Sequence, residues 1–171
     1  MSIKTIIHDN TRYPAFQAEG NAMQFAIPFA RKVCNGYGCD VGCNRKEWAY
    51  VDGNGVPALP VDLAFPDEYN ALNLPPGSFD YIISSHMLEH VENWVSVLSY
   101  WQERLKKGGA LFLYLPHYSQ SYWRPWSNTK HVHILEPHVL REYLRYTGWE
   151  NIFVSEQDLN NSFMVMANKS E

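Results

Sequence analysis

The feature that most constrains the fold is a pair of apolar runs joined by one amphipathic helix. Phe79-Asp80-Tyr81-Ile82-Ile83-Ser84-Ser85 has a continuous apolar centre, the pattern of a parallel strand covered on both faces. Trp94, Val97, Leu98, Trp101 and Leu105 then recur at helical spacing as one buried stripe, and Lys106-Lys107-Gly108-Gly109 ends it. Ala110 to Leu115 is the next buried strand, closed by Pro116-His117. Strand, helix and strand in this order specify an α/β sheet.

The rest of the chain extends that pattern. Short strands are expected at Gly38 to Val41, at Ala49-Tyr50-Val51, and ending at Val61-Asp62, each followed by turn residues. Residues 117–130, rich in aromatic, Ser and Asn residues, read as a long functional loop or lid in which Tyr118, Tyr122, Trp123 and Trp126 offer flat apolar surface. Pro137 to Tyr146 is a second helix with Pro in its first turn and Gly148 past its end. Ile152-Phe153-Val154 and Phe163-Met164-Val165-Met166 form a closing antiparallel hairpin. Residues 1–35 are expected to form an N-terminal helical cap on the core of residues 36–171, within a single domain. There Phe25, Ile27 and Phe29 pack inward, Pro28 interrupts any regular helix, and Gln17, Glu19 and Asn21 are polar-contact candidates.

Charge and cysteine usage narrow the function. With 14 Lys and Arg against 18 Asp and Glu, the 171-residue chain has a formal charge of −4 and lacks the basic footprint of a phosphate-neutralising nucleic-acid binder. No apolar stretch reaches the ~18 residues of a membrane span, so a cytoplasmic protein is expected. Cys34, Cys39 and Cys43 lack a fourth soft ligand at useful spacing and read as structural thiols of a reducing compartment.

Asp40-Val41-Gly42-Cys43-Asn44, with Asp52 after the next expected strand, is a nucleotide-site arrangement: glycine lets backbone approach a ligand, and a carboxylate accepts hydrogen bonds from a ribose diol. The dinucleotide fingerprint is incomplete, because Asn44 stands where another glycine would fall.

Taken in order, these segments resemble the class I S-adenosylmethionine-dependent methyltransferase family over most of the chain. Asp40 to Asn44 is similar to its glycine-rich first motif, Leu74-Pro75-Pro76-Gly77-Ser78-Phe79-Asp80 to the lead into its fourth strand, and Ser85-His86-Met87-Leu88-Glu89-His90 to the loop after it. Leu105 to Ala110 with Tyr114-Leu115-Pro116-His117 resembles the next turn and strand. The resemblance implies a single methyltransferase-like domain whose core, residues 36–171, is a Rossmann-like, doubly wound sheet of seven mostly parallel strands with one reversed, and S-adenosylmethionine across the ends of the first, second and fourth. Asp40, Gly42, Cys43, Asn44, Asp52, Asp62, Ser85 and His86 are then the cofactor-binding candidates. Asp52 takes the ribose, and Asp62 or Leu63 the adenine, with Asp67 and Glu68 as rivals.

The expected activity is methyl transfer to an oxygen or nitrogen of a small or exposed polar acceptor. His117, His131 and His133 are candidate general bases because imidazole titrates near neutral pH. His131-Val132-His133 has the alternation of a short strand, which would put both rings on one face. His86-Met87-Leu88-Glu89-His90 also matches the H-x-x-E-H pattern of inverted zinc peptidases, but its place directly after a strand and the want of a third ligand on a later helix lead to no expected metal. The rivals are a Rossmann-type NAD(P)-dependent oxidoreductase or sugar-nucleotide enzyme, and a non-catalytic module of the same fold.

Overall fold

A computed structural model describes residues 4–8, 11–15, 21–65, 69–121 and 124–171. Strands β1 (Thr5–His8) and β2 (Thr11–Pro14) pair as an antiparallel hairpin apart from the main sheet. Helix α1 (Met23–Ala30) leads to β3 (Gly38–Val41), β4 (Leu59–Val61) and β5 (Phe79–Ser85). Helix α2 (Trp94–Arg104) runs directly into β6 (Leu105–Pro116), and α3 (Pro137–Tyr146), β7 (Trp149–Val154) and β8 (Ser162–Lys169) complete the chain.

The main sheet has the order β4-β3-β5-β6-β8-β7. β3 is parallel to β4 and β5, and β5 to β6, while β8 lies antiparallel to both β6 and β7 as the one reversed strand. The chain passes from β3 outward to β4, then returns across β3 to β5. The order of strands therefore reverses at β3, the kind of switch point where open α/β sheets bind ligands.

The continuous apolar runs are explained by burial on both faces. Leu111, Leu113 and Leu115 join Trp101, Leu140 and Leu144 in one core, whereas Phe112 and Tyr114 join Ala26, Ala30 and Ile83 in another. Burying each large side chain contributes ~1.5–3 kcal/mol. Trp101 is fully buried and its indole N–H donates to the Ala71 carbonyl at 2.8 Å, so its polar edge is satisfied as its ring fills the core.

Four expectations are corrected. The described sheet has six strands rather than seven: Ala49-Tyr50-Val51 forms only an isolated bridge from Val51 to Pro57, because the Tyr50 N–H is taken at 2.8 Å by the Asp40 carboxylate. Pro28 lies inside α1, where the packing of Met23, Ala26 and Ala30 outweighs the one backbone donor that proline lacks. The first 35 residues carry the β1–β2 hairpin as well as a helix. His131 to His133 is no strand, and the two histidines differ in burial, His131 being buried and His133 half-buried. Among the described residues no helix is long and apolar enough to cross a membrane.

Candidate functional site

The turns after β3, β4 and β5 surround a cleft of about 840 Å³. Gly42 and Asn44 follow β3, Asp62 and Leu63 follow β4, and Ser85, His86 and Met87 close β5, and all seven line the cleft wall. Gly42 has φ +87° and Asn44 φ +64°, so asparagine, which tolerates the left-handed region, serves where a glycine would be usual. A Cβ on Gly42 would stand 2.5 Å from Met87 Cγ, so glycine is required there by a neighbouring side chain. The Gly42 N–H donates to the Val61 carbonyl, and the N–H groups of Asn44 and Ala64 donate one each to the two oxygens of Asp62, all at 2.8 Å.

His86 also has a positive φ, +48°, and its N–H donates to the Tyr114 carbonyl at 2.8 Å. Burial, and next the nearby His131 and His90, push its imidazole pKa down to about 3, so it is neutral near pH 7. Ser85 Oγ is buried at the cleft without a hydrogen-bond partner.

The other sequence candidates lie elsewhere. Asp40 is buried under the turn, holding the Tyr50 N–H, with its carboxyl pushed up to about 7 by burial. Cys43 is buried beside that turn and does not line the cleft, and burial pushes its thiol up to about 12. Asp52 accepts from the N–H groups of Gly36, Asn54 and Val56, which hold its carboxyl below the usual range, and it too is absent from the cleft wall. Without a strand over 49–51, Asp52 organises a turn, and the acid at the mouth of the sheet is Asp62. Gln17, Glu19, Asp67, Glu68, Tyr122 and Trp123 lie outside the described residues.

At the other end of the cleft stand Glu89, His90 and His131. Glu89 is 1% exposed, neither carboxylate oxygen has a hydrogen-bond partner, and burial pushes its pKa up to about 8. His131, 3% exposed, packs edge-on to the His90 ring at 4.5 Å. Behind Glu89 and His131 a second cavity of about 20 Å³, room for roughly one water, is also lined by His117 and His133. His133 Nε2 donates to the Glu92 carbonyl at 2.8 Å. His117 Nδ1 accepts from the Ser119 N–H, and burial holds its pKa below the usual range. Of the three candidate bases, only His131 borders the main cleft. Glu89 was missed as a site residue, although the H-x-x-E-H pattern already carried it; its partner His131 arrives from a distant segment.

The model of the family described as "Methyltransferase domain" matches residues 19–154. No curated protein gives a significant match. A SAM-dependent methyltransferase from Archaeoglobus fulgidus superposes with a TM-score of 0.62 at 16% identity, covering 90% of this chain and 94% of that one. A SAM-dependent methyltransferase from Thermotoga maritima, described as a possible histamine N-methyltransferase, gives 0.62 at 14% identity over 92% and 95%. Magnesium protoporphyrin IX methyltransferase from Synechocystis PCC 6803, solved with bound SAH, gives 0.53 at 12% identity over 90% and 83%. At these identities the likeness is one of fold.

Proposed function

The chain belongs to the methyltransferase-domain family, and on that premise we propose that it moves the methyl group of S-adenosylmethionine to an oxygen or nitrogen of a small or exposed polar acceptor. The observation that carries the reading is the cleft at the switch point of the sheet, bordered by Gly42, Asn44, Asp62, Ser85 and His86 from three successive strand ends. Its volume of about 840 Å³ suits a nucleoside-sized ligand.

The residues present fit the cofactor. Asp62 is the acid at the strand ends, each oxygen having accepted one backbone N–H and retaining capacity for a ribose or adenine donor. Ser85 Oγ, buried and unpartnered, supplies a hydroxyl that a polar ligand would satisfy. When bound, S-adenosylmethionine supplies a methyl group already activated on a sulfonium, so the protein's task is alignment. The acceptor enters at the end of the cleft that carries Glu89, His90 and His131, where a neutral imidazole can receive its proton. His86, held neutral, would add no positive charge to a cleft that took up a sulfonium.

Thermal melting with S-adenosylmethionine, S-adenosylhomocysteine and nicotinamide dinucleotides tests this reading. A ligand selective for the folded state raises the melting temperature by mass action. The two adenosyl ligands are expected to raise it and the dinucleotides to leave it unchanged. A shift with the dinucleotides alone would replace methyl transfer with hydride transfer.

A further inference from the structure

A carboxyl group buried without a hydrogen bond is costly, and the fold keeps one at Glu89 beside two imidazoles. One ligand atom each from Glu89, His90 and His131 lies within 4.8 Å of the other two. His90 Nε2 is 4.0 Å from Glu89 Oε1, and His86 Nδ1 lies 3.9 Å from the same oxygen. Donors bound to one cation at about 2.0–2.2 Å stand roughly 3–4 Å apart, so the trio needs to close by at most about 1–2 Å.

The surroundings orient these groups. His90 Nδ1 donates to the Lys130 carbonyl at 2.8 Å, which fixes the proton on Nδ1 and leaves the Nε2 lone pair toward Glu89, the arrangement that accompanies metal-ligating histidines. The Glu89 carbonyl accepts from the N–H groups of Val132 at 2.9 Å and His133 at 3.3 Å, pinning the segment that carries His131 against the turn that carries Glu89 and His90. The sequence lacked a third ligand on a later helix. The fold supplies one from a loop.

We propose that Glu89, His90 and His131 form a binding site for a first-row divalent transition cation of the zinc class. One carboxylate and two imidazoles are the donor set such ions favour, and three protein ligands leave coordination positions for a further oxygen or nitrogen ligand. All three residues border the main cleft, so that further ligand comes from the cleft side. Binding of the cation does not depend on methyl transfer. That the further ligand is the methyl acceptor rests on the reading above.

The test uses the full chain stripped with a chelator and titrated with Zn²⁺ alone in competition with a chromophoric chelator. His90 is 36% exposed, so His90→Ala is expected to keep its fold, checked by circular dichroism. Glu89→Gln is the second variant, and His138→Ala, which removes an exposed imidazole paired with Glu136 at 3.3 Å, is the control. One equivalent is expected in wild type and control, with affinity at least about tenfold weaker in His90→Ala and in Glu89→Gln. The Co²⁺ form is expected to show ligand-field bands without a thiolate charge-transfer band. Absence of stoichiometric Zn²⁺ binding in wild type, undiminished binding in folded His90→Ala, or a thiolate band assigning the metal to the cysteines would each overturn the proposal.

Discussion

The Asn44 N–H donates to Asp62 Oδ2 at 2.8 Å, so the turn after β3 and the turn after β4 are tied together by the carboxylate that faces the cleft. Asp62→Ala removes both this tie and the acid. It is expected to weaken S-adenosylhomocysteine binding by ~1.5–3 kcal/mol, the scale for hydrogen bonds to a charged group. Asp52→Ala, whose carboxylate holds three backbone N–H groups away from the cleft, is expected to lower the melting temperature and leave that affinity within about threefold. Calorimetric binding and melting curves on both variants check the contrast.

Gly42→Ala meets two penalties. The backbone at φ +87° disfavours a side chain by about 1–2 kcal/mol, and the new Cβ stands 2.5 Å from Met87 Cγ. The variant is expected to be destabilised by roughly 2 kcal/mol or more, and Met87→Gly in the same chain, which removes both the Cγ at 2.5 Å and the Cβ at 2.6 Å, to restore the steric part only. Chemical denaturation of the single and double variants measures the coupling, and strict additivity would show that Met87 does not fill that space.

Asp40 gives a pH signature. Burial raises its folded-state pKa to about 7 from an ordinary value near 4, so the folded state holds a proton that the unfolded state has released. The stability tied to that proton is present below the unfolded value and is lost as pH rises through the folded one. Its limiting slope is about 1.4 kcal/mol per pH unit. Asp40→Asn keeps an oxygen for the Tyr50 N–H and removes the titration. The stability of the variant relative to wild type is therefore expected to rise between about pH 4 and 7, measured by denaturation across that range. A difference that stays flat would show that Asp40 ionises normally.

Trp101→Ala is expected to cost ~3–5 kcal/mol, since it empties a fully buried indole site and leaves the Ala71 carbonyl without its donor. Trp101→Phe retains most of the packing and is expected to lose less, the remainder reporting the hydrogen bond in denaturant titrations.

What the sequence made legible was local. The stripe of Trp94, Val97, Leu98 and Trp101 became α2, and Pro137 with Gly148 bracketed α3, because helical spacing and caps act within a few residues. Tyr50 was different. Its neighbours have strand-like composition, yet its N–H goes to the Asp40 side chain instead of a neighbouring strand, a choice made by tertiary contact. The β1–β2 hairpin carried no turn signal strong enough to announce it. In the site, Gly42, Asn44, Asp62, Ser85 and His86 could be named because their motifs sit at strand ends. The meeting of Glu89 with His131 could not, since it depends on backbone hydrogen bonds that span the intervening α2, β6 and the loop after it.

Isothermal titration of S-adenosylhomocysteine into the wild-type chain, with NAD⁺ titrated in parallel, tests the central claim most directly. Saturable one-to-one binding of S-adenosylhomocysteine, with no heat from NAD⁺, is the result the cleft at β3, β4 and β5 predicts. No binding of S-adenosylhomocysteine at millimolar concentration by a protein that melts cooperatively, or saturable binding of NAD⁺ in its place, would contradict it.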